Sequence, residues 1–275
     1  MSVVCKICPR HCTLKEGQVG FCKARMAKGS EVISLNYGQV VSLGLDPIEK
    51  KPLYHFMPGS KILSVGSFGC NFRCDFCQNY QISMSDGSDL VKKYMSPREL
   101  VDLAEDLKNR GNIGIAYTYN EPLIGYEYVL DTSKEAHSRG LKNVLVTNGY
   151  IEKEPFLELL PYIDAVNIDL KSFNEEFYKS VGGDLKVVME SIKLAAGYAH
   201  VEVTTLIIEG INDDEGEMDS LARWLCTINP SIPLHISRFF PAYKMMDRSP
   251  TSVSTVYNLI DVAKTHLNYV YPGNC

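Results

Sequence analysis

The chain has no run of about 18 apolar residues and no apolar stretch behind its opening residues, MSVVCKICPRHC, so its sequence predicts neither a membrane span nor a secretory leader. It also lacks a basic block or stripe. The 28 Lys and Arg stand against 33 Asp and Glu, a formal charge of −5, which argues against a nucleic-acid partner and for a small-molecule or protein substrate. An even, widely spread set of cysteines is missing too. The nine that occur are odd in number and bunched at short spacings, which speaks against a disulfide framework and for metal binding in a reducing, cytoplasmic compartment. With 275 residues, 45% of them hydrophobic, there is enough apolar material for one large core or a barrel with a small appendage.

What is present is concentrated between Gly66 and Gln78, GSFGCNFRCDFCQ. Cys70, Cys74 and Cys77 are spaced Cys-x3-Cys-x2-Cys, and the apolar run Ile62 to Val65 places this loop between a strand and a helix. Three thiolates can hold three irons of a [4Fe–4S] cube; a ferredoxin-type site needs a fourth cysteine nearby, and none follows. An iron without a protein ligand has an open position, which is where metal chemistry takes place. Three reduced thiols or a zinc site are the plainer readings of the same spacing.

Residues 1 to 30 form a cysteine-rich head with Cys5, Cys8, Cys12 and Cys22, and His11 as a spare ligand. Four soft ligands so close together suffice for a closed zinc site or a second iron–sulfur cluster, and spacing does not choose between them. Such a metal can staple a segment too small for its own core, or act as an auxiliary cluster. Residues 31 to 45 predict a hairpin turning at Asn36 to Gly38. The stretch DPIEKKPLYHFMPGS, punctuated by Pro47, Pro52 and Pro58, predicts a loop. The expected division is 1–57 for head, hairpin and loop, and 58–275 for the main domain.

From Lys61 onward, strand-like runs at 61–66, 113–118, 143–147, 164–169, 200–208 and 232–237 alternate with helical patterns at 97–110, 123–139, 153–160, 174–195, 215–228 and 252–266. Six such alternations predict an α/β fold with a parallel sheet, whose ligands collect at the C-terminal strand ends. The polar residues that fall there are Asn120 and Glu121, Thr147 and Asn148, Asp169 and Lys171, Thr204 and Thr205, then His235 and Arg238. A carboxylate and a carboxamide can hold an ammonium group, and a lysine suits an anion. Alternation puts Asp169 and Lys171 on one strand face. Each also has a plain structural reading: a turn before a helix, an ion pair, a hydrogen-bonded core histidine. Thr204 and Thr205 sit on an otherwise apolar strand. Cys226 reads as a core residue, and nothing in the sequence assigns Cys275.

The cysteine spacing, with Phe76 just before the third cysteine, resembles the radical S-adenosylmethionine (SAM) superfamily and its pyruvate formate-lyase-activating branch. The frame CKICPRHC, DPIEKKPLYHF, the cysteine loop and YTYNEP, covering nearly the whole chain, is similar to the radical SAM component of the AmmeMemoRadiSam group. The resemblance implies a partial (βα)6 TIM-type radical SAM barrel with a small N-terminal Cys-rich head. It implies a [4Fe–4S] cluster on Cys70, Cys74 and Cys77, with the amino and carboxylate groups of SAM on the open iron. An electron from ferredoxin or flavodoxin would then split SAM into methionine and a 5′-deoxyadenosyl radical that abstracts hydrogen from substrate. By residue, it implies Phe76 among the cofactor-binding residues, and Asn120 and Glu121 at the SAM amino end, where activating enzymes carry Gly-Gly-Glu. Asp169 and Lys171 would meet the SAM carboxylate, Thr205 the adenine, and His235 the ribose or substrate. Residues of DPIEKKPLYHF would lie near the active-site mouth. This sequence departs from the pattern in replacing both glycines, in Val146 where activating enzymes have the aspartate of a monovalent-cation site, and in Glu209 where a proline is common. Two other functions stay open: an activase that installs a glycyl radical on a partner enzyme, and a metal-stabilised binding module without catalysis.

Overall fold

Eight strands form one sheet in the computed structural model, which describes residues 2–275. Strand β1 (Ser42–Pro47) runs antiparallel beside β2 (Lys61–Gly66). Then follow, all parallel and in chain order, β3 (Asn112–Tyr117), β4 (Lys142–Thr147), β5 (Ala165–Asp169), β6 (His200–Ile207), β7 (Leu234–Arg238) and β8 (Val270–Gly273). Strands β1 and β8 do not pair with each other among the described residues, so the barrel is open. The helices are α1 (Pro97–Asp106), α2 (Tyr126–Ser138), α3 (Lys153–Leu159), α4 (Glu175–Val181), α5 (Leu185–Ala196), α6 (Glu215–Ile228) and α7 (Val253–Ala263). Among the described residues no helix is long and apolar enough to cross a membrane.

Local chemistry sets these boundaries. Ser96 and Glu99 form a reciprocal capping box with Pro97 in the first turn of α1, and such a cap is worth about 1 kcal/mol. Asp214 caps α6 by accepting the Glu217 N–H, so the acidic loop at 213–215 begins a helix as its charge suggested. Strand β6 shows how the layers arise. Val203 and Ile207 join Met218, Leu221 and Leu225 of α6 in the outer core, while Thr204 and Leu206 face the cavity inside the barrel.

Several expectations need correction. The single helix expected at 174–195 is two, because Gly182 ends α4 at φ +78° and Asp184 caps α5. The hairpin expected at 31–45 does not form. Glu31–Ser34 pairs back with Arg25–Lys28, Gln39–Val40 pairs with Lys93–Tyr94, and Ser42–Pro47 is claimed by the barrel. The helix expected after the cysteine loop is one turn, Tyr80–Ser83. Strand β8 was not foreseen in the short run before Pro272.

The stretch DPIEKKPLYHF is the floor of the barrel, not part of its mouth. Ile48 and Leu53 are fully buried against Ile62, Val144 and Ala165 at the lower ends of the strands. The part of the chain from 42 to 57, grouped with the head by sequence, therefore belongs to the barrel. The floor is fastened by Glu202 inside β6, whose carboxylate accepts from the backbone N–H of Tyr54 (3.0 Å) and His55 (2.7 Å) and pairs with His200 (2.9 Å) and His235 (2.6 Å). Burial alone would raise the Glu202 pKa, but the His200, His235 and backbone hydrogen bonds outweigh it and bring it down to about 2. Its stabilisation is therefore complete above the ordinary glutamate range and is lost as pH falls toward 2. Glu202→Ala, which strands four donors, is expected to cost about 3 kcal/mol at pH 7. Urea unfolding at pH 7 and pH 3 checks both points: the variant's deficit shrinks at the lower pH, and a variant as stable as wild type at pH 7 contradicts the floor's dependence on this carboxylate.

Candidate functional site

A cavity of ≈ 300 Å³ opens at the C-terminal ends of the barrel strands. The loop after β2 supplies Cys70, Cys74, Phe76 and Cys77 to its wall. Opposite lie Thr118 to Glu121 after β3, Val146 to Asn148 at the end of β4, and Asp169 and Lys171 at the end of β5. Thr204, Leu206, Ser237 and Asn274 also line it, as does the segment from Gln78 to Met84 in part.

The cysteine loop is held by the chain around it. Asn120 accepts the Ser67 N–H at Oδ1 (2.9 Å) and donates from Nδ2 to the carbonyls of Phe68 (3.2 Å) and Gly69 (3.1 Å). Its carboxamide is thus tied to the loop, with the second lone pair of Oδ1 left over on a residue that also lines the cavity. Gly69 sits at φ +84°, where a Cβ would lie 2.4 Å from the Cys22 carbonyl oxygen, so only glycine permits that approach. The Cys70 sulfur receives the Phe72 N–H at 3.3 Å and Asn148 Nδ2 at 3.8 Å. Asn148 also donates to Asn71 Oδ1 at 2.9 Å.

All nine cysteines are free. Burial pushes the Cys70 thiol well above its ordinary pKa and the Cys74 thiol up to about 12, the latter opposed by the charge of Lys171. Metal uptake by these sulfurs must therefore release protons. Among the described residues, no three His, Cys, Asp or Glu side chains stand at the spacing of a closed single-ion site. Cys70, Cys74 and Cys77 instead edge a roomy cavity, which suits donors to a cluster of several irons.

Glu121 accepts from Thr147 Oγ1 (2.6 Å), Asn148 N (2.8 Å) and Leu123 N (3.0 Å). Burial still dominates and raises its pKa to about 7, so an arriving cation would be welcome beside it. Lys171 Nζ lies 3.0 Å from Asp169 Oδ2 and 5.9 Å above the Phe76 ring. Burial works against its charge, but Asp169 and Cys74 prevail and its pKa is raised. Asp169 retains more exposure than Lys171. The site thus offers an acceptor pair and a fixed ammonium within one water-restricted space.

Tyr119 is a residue that sequence reasoning passed over. It holds φ +72°, the left-handed conformation that glycine adopts most readily. Its hydroxyl donates to Asp46 (2.8 Å), which also receives the buried Lys51 ammonium (2.8 Å). The floor and the cavity are joined through this contact. This glycine-like geometry at position 119 is invisible in the sequence because tyrosine carries no such signal.

Of the other expected site residues, Phe76, Asp169 and Lys171 line the cavity, whereas Thr205 and His235 do not. Thr205 points outward and donates to the Leu170 carbonyl at 2.8 Å; its neighbour Thr204 faces inward. His235 lies one layer lower, bonded to Glu202. In the head, Cys5, Cys8, Cys12 and Cys22 surround a second, small cavity, while His11 turns away to pair with Glu152 at 2.8 Å. Lys244 pairs with Asp75 (2.8 Å) and Tyr243 stacks on Tyr80 (4.8 Å), which lays the loop after β7 against the cysteine loop.

The family model of the radical SAM superfamily matches residues 64–224. An uncharacterised protein of Methanocaldococcus jannaschii is 44% identical over 277 residues, covering 99% of this chain and 81% of that protein. The 4-hydroxyphenylacetate decarboxylase activating enzyme of Clostridium scatologenes is 28% identical over 161 residues; the match covers 55% of this chain and 52%, about half, of that enzyme. A domain of a pyruvate-formate lyase-activating enzyme from Bacteroides vulgatus shares the fold at a TM-score of 0.50 and 21% identity, over 58% of this chain and 99% of that one. The cysteine loop, the cavity at the strand ends and these likenesses agree. The chain belongs to the radical SAM superfamily of enzymes.

Proposed function

We propose that this is a radical SAM enzyme of the AmmeMemoRadiSam kind, acting on a small molecule or a protein side chain. Membership of the superfamily implies a [4Fe–4S] cluster and SAM, and the donor set fits them, with three thiols at the cavity and no fourth cysteine there. The observation that carries the reading is the convergence of Cys70, Cys74 and Cys77 with Asp169 and Lys171 on that single cavity. When bound, the cluster supplies the electron that divides SAM into methionine and a 5′-deoxyadenosyl radical able to take hydrogen from substrate.

The chain's own residues do the positioning. Lys171 meets the SAM carboxylate, and Glu121 and Asp169 accept its ammonium group. Asn120 keeps the cysteine loop in place, and Phe76 and Tyr119 wall the cavity against water. Val146 in the cavity wall offers no oxygen ligand where activating enzymes carry an aspartate, so no monovalent cation is part of the proposal. The proposal includes a soft-metal group in the head, zinc or iron–sulfur, on Cys5, Cys8, Cys12 and Cys22. It also includes ferredoxin or flavodoxin as electron donor and a cytoplasmic setting.

A second reading, activation of a partner enzyme by a glycyl radical, is favoured by the likeness to the 4-hydroxyphenylacetate decarboxylase activating enzyme. Anaerobic protein incubated with SAM, dithionite and fractions of deuterated cell extract separates the two. Deuterium in 5′-deoxyadenosine from a fraction without a glycyl signal supports the first reading. A glycyl signal by electron spin resonance moves the assignment to the second, and neither label nor signal contradicts both.

A further inference from the structure

We infer that the outer face of the cysteine loop, centred on Phe21 between Arg10 and Arg73, is the docking surface of a small acidic electron-carrier protein. This rests on the proposed cluster and names the side from which its electron arrives. In the proposed reaction SAM and substrate occupy the cavity at the strand ends, and the loop after β7 lies against the cysteine loop through Lys244 and Tyr243. A protein donor must therefore approach the cysteines from outside the cavity, and the head packs on one such side.

On that side an aromatic ring stands at the surface. Phe21 is 37% exposed and lies between two guanidinium groups, Arg10 at 3.5 Å and Arg73 at 4.0 Å from the ring centre. Neither arginine has a carboxylate partner among the described residues. Arg10 donates to the carbonyls of Asn71 (3.0 Å) and Gly182, and Arg73 to those of Cys70 (2.7 Å), Phe72 (2.8 Å) and Phe21. Two like charges on one ring repel each other, and an arriving anion relieves the repulsion. Lys23, exposed two residues further on, donates to the Met84 carbonyl (2.6 Å) and adds a third cation. The carboxylates at the rim are Asp86, near Lys23, and Asp75, which is already paired with Lys244 (2.8 Å). The chain as a whole carries a formal charge of −5, so an acidic protein is drawn to this patch rather than to the surface at large. Arginine and aromatic side chains are also the types that dominate the centres of protein interfaces. The patch is assembled from separate segments, which is why no basic block shows in the sequence.

The same ring is close to a cluster ligand along the chain. Phe21 is bonded to Cys22, whose carbonyl accepts the Cys70 N–H at 3.2 Å, and Arg73, between Cys70 and Cys74, donates back to the Phe21 carbonyl. One residue and one hydrogen bond thus separate the exposed ring from the backbone of Cys70. In the transfer the carrier is oxidised by one electron and the cluster is reduced by it, and no bond or proton changes hands.

The test uses the full chain, reconstituted anaerobically, with flavodoxin and ferredoxin as probes. Calorimetric titration is expected to show binding of at least one of them, weakening about tenfold or more as salt rises from about 20 mM to about 300 mM. Arg10→Gln combined with Lys23→Glu is expected to weaken binding about tenfold at low salt and to slow 5′-deoxyadenosine formation driven by the reduced carrier. Dithionite, a small reductant that needs no docking, still drives that formation at the wild-type rate. If the double variant loses iron or dithionite-driven turnover, its structure has failed, and Lys23→Glu alone, at an exposed side chain outside the cysteine loop, decides by the same titration, with severalfold weaker binding expected. Binding of neither carrier, or a folded variant that binds as tightly as wild type, overturns the docking surface and leaves the proposed reaction standing. Failure of the wild type to cleave SAM under dithionite strikes the reaction itself and is read without any carrier.

Discussion

Lys171→Met is expected to weaken SAM binding roughly ten- to a hundredfold while leaving the iron content unchanged. The ammonium of Lys171 is the fixed cation of the cavity, held beside Asp169 and largely shielded from solvent. A hydrogen bond to a charged group contributes about 1.5–3 kcal/mol, and each 1.4 kcal/mol is about a factor of ten in affinity. Methionine keeps most of the side chain's volume and its packing near Phe76, so loss of charge is the main change. The variant also leaves Asp169 without its partner, but Asp169 is partly exposed and water can take the lysine's place. Equilibrium dialysis of the anaerobically reconstituted protein against labelled SAM checks the affinity, and iron analysis checks the cluster. Unchanged affinity would remove Lys171 from the SAM site.

The fold was legible in the sequence where the pattern was long and periodic. The six central strands and most helices could be read from alternation, and Ser96, Pro97 and Gly111 marked real boundaries because capping and turn chemistry act locally. Short elements escaped for the opposite reason. Ser42–Pro47 pairs with a strand that lies beyond a long connection, and its own alternation fits a local hairpin equally well. Gln39–Val40 and Lys93–Tyr94 are too short for any pattern.

The site was legible in part. The cysteine triplet was visible because metal ligation demands a spacing, and Asp169 with Lys171 because strand alternation puts both on one face. Which way β6 faces was decided by one register position: Thr204 turns into the barrel and Thr205 out of it. His235 and Glu202 are far apart in sequence, so their pairing beneath the cavity carried no local signal. Asn120 was recognised as important, but its carboxamide serves the loop's backbone, a task its polarity fitted as well as ligand binding.

The central claim is that Cys70, Cys74 and Cys77 carry a cluster that cleaves SAM. Without thiolates at these positions the cavity has no cysteine left to hold a cluster, so no partial activity is expected. Alanine at all three removes two buried thiols and one half-buried one, each a small loss of packing volume, and leaves Asn120 free to hold the loop from Ser67 to Gly69. The most direct measurement is the yield of 5′-deoxyadenosine from SAM under dithionite, wild type against the Cys70→Ala, Cys74→Ala, Cys77→Ala variant. The expected result is formation by the reconstituted wild type and none by the variant, and equal yields from the two, or none from either, would contradict it.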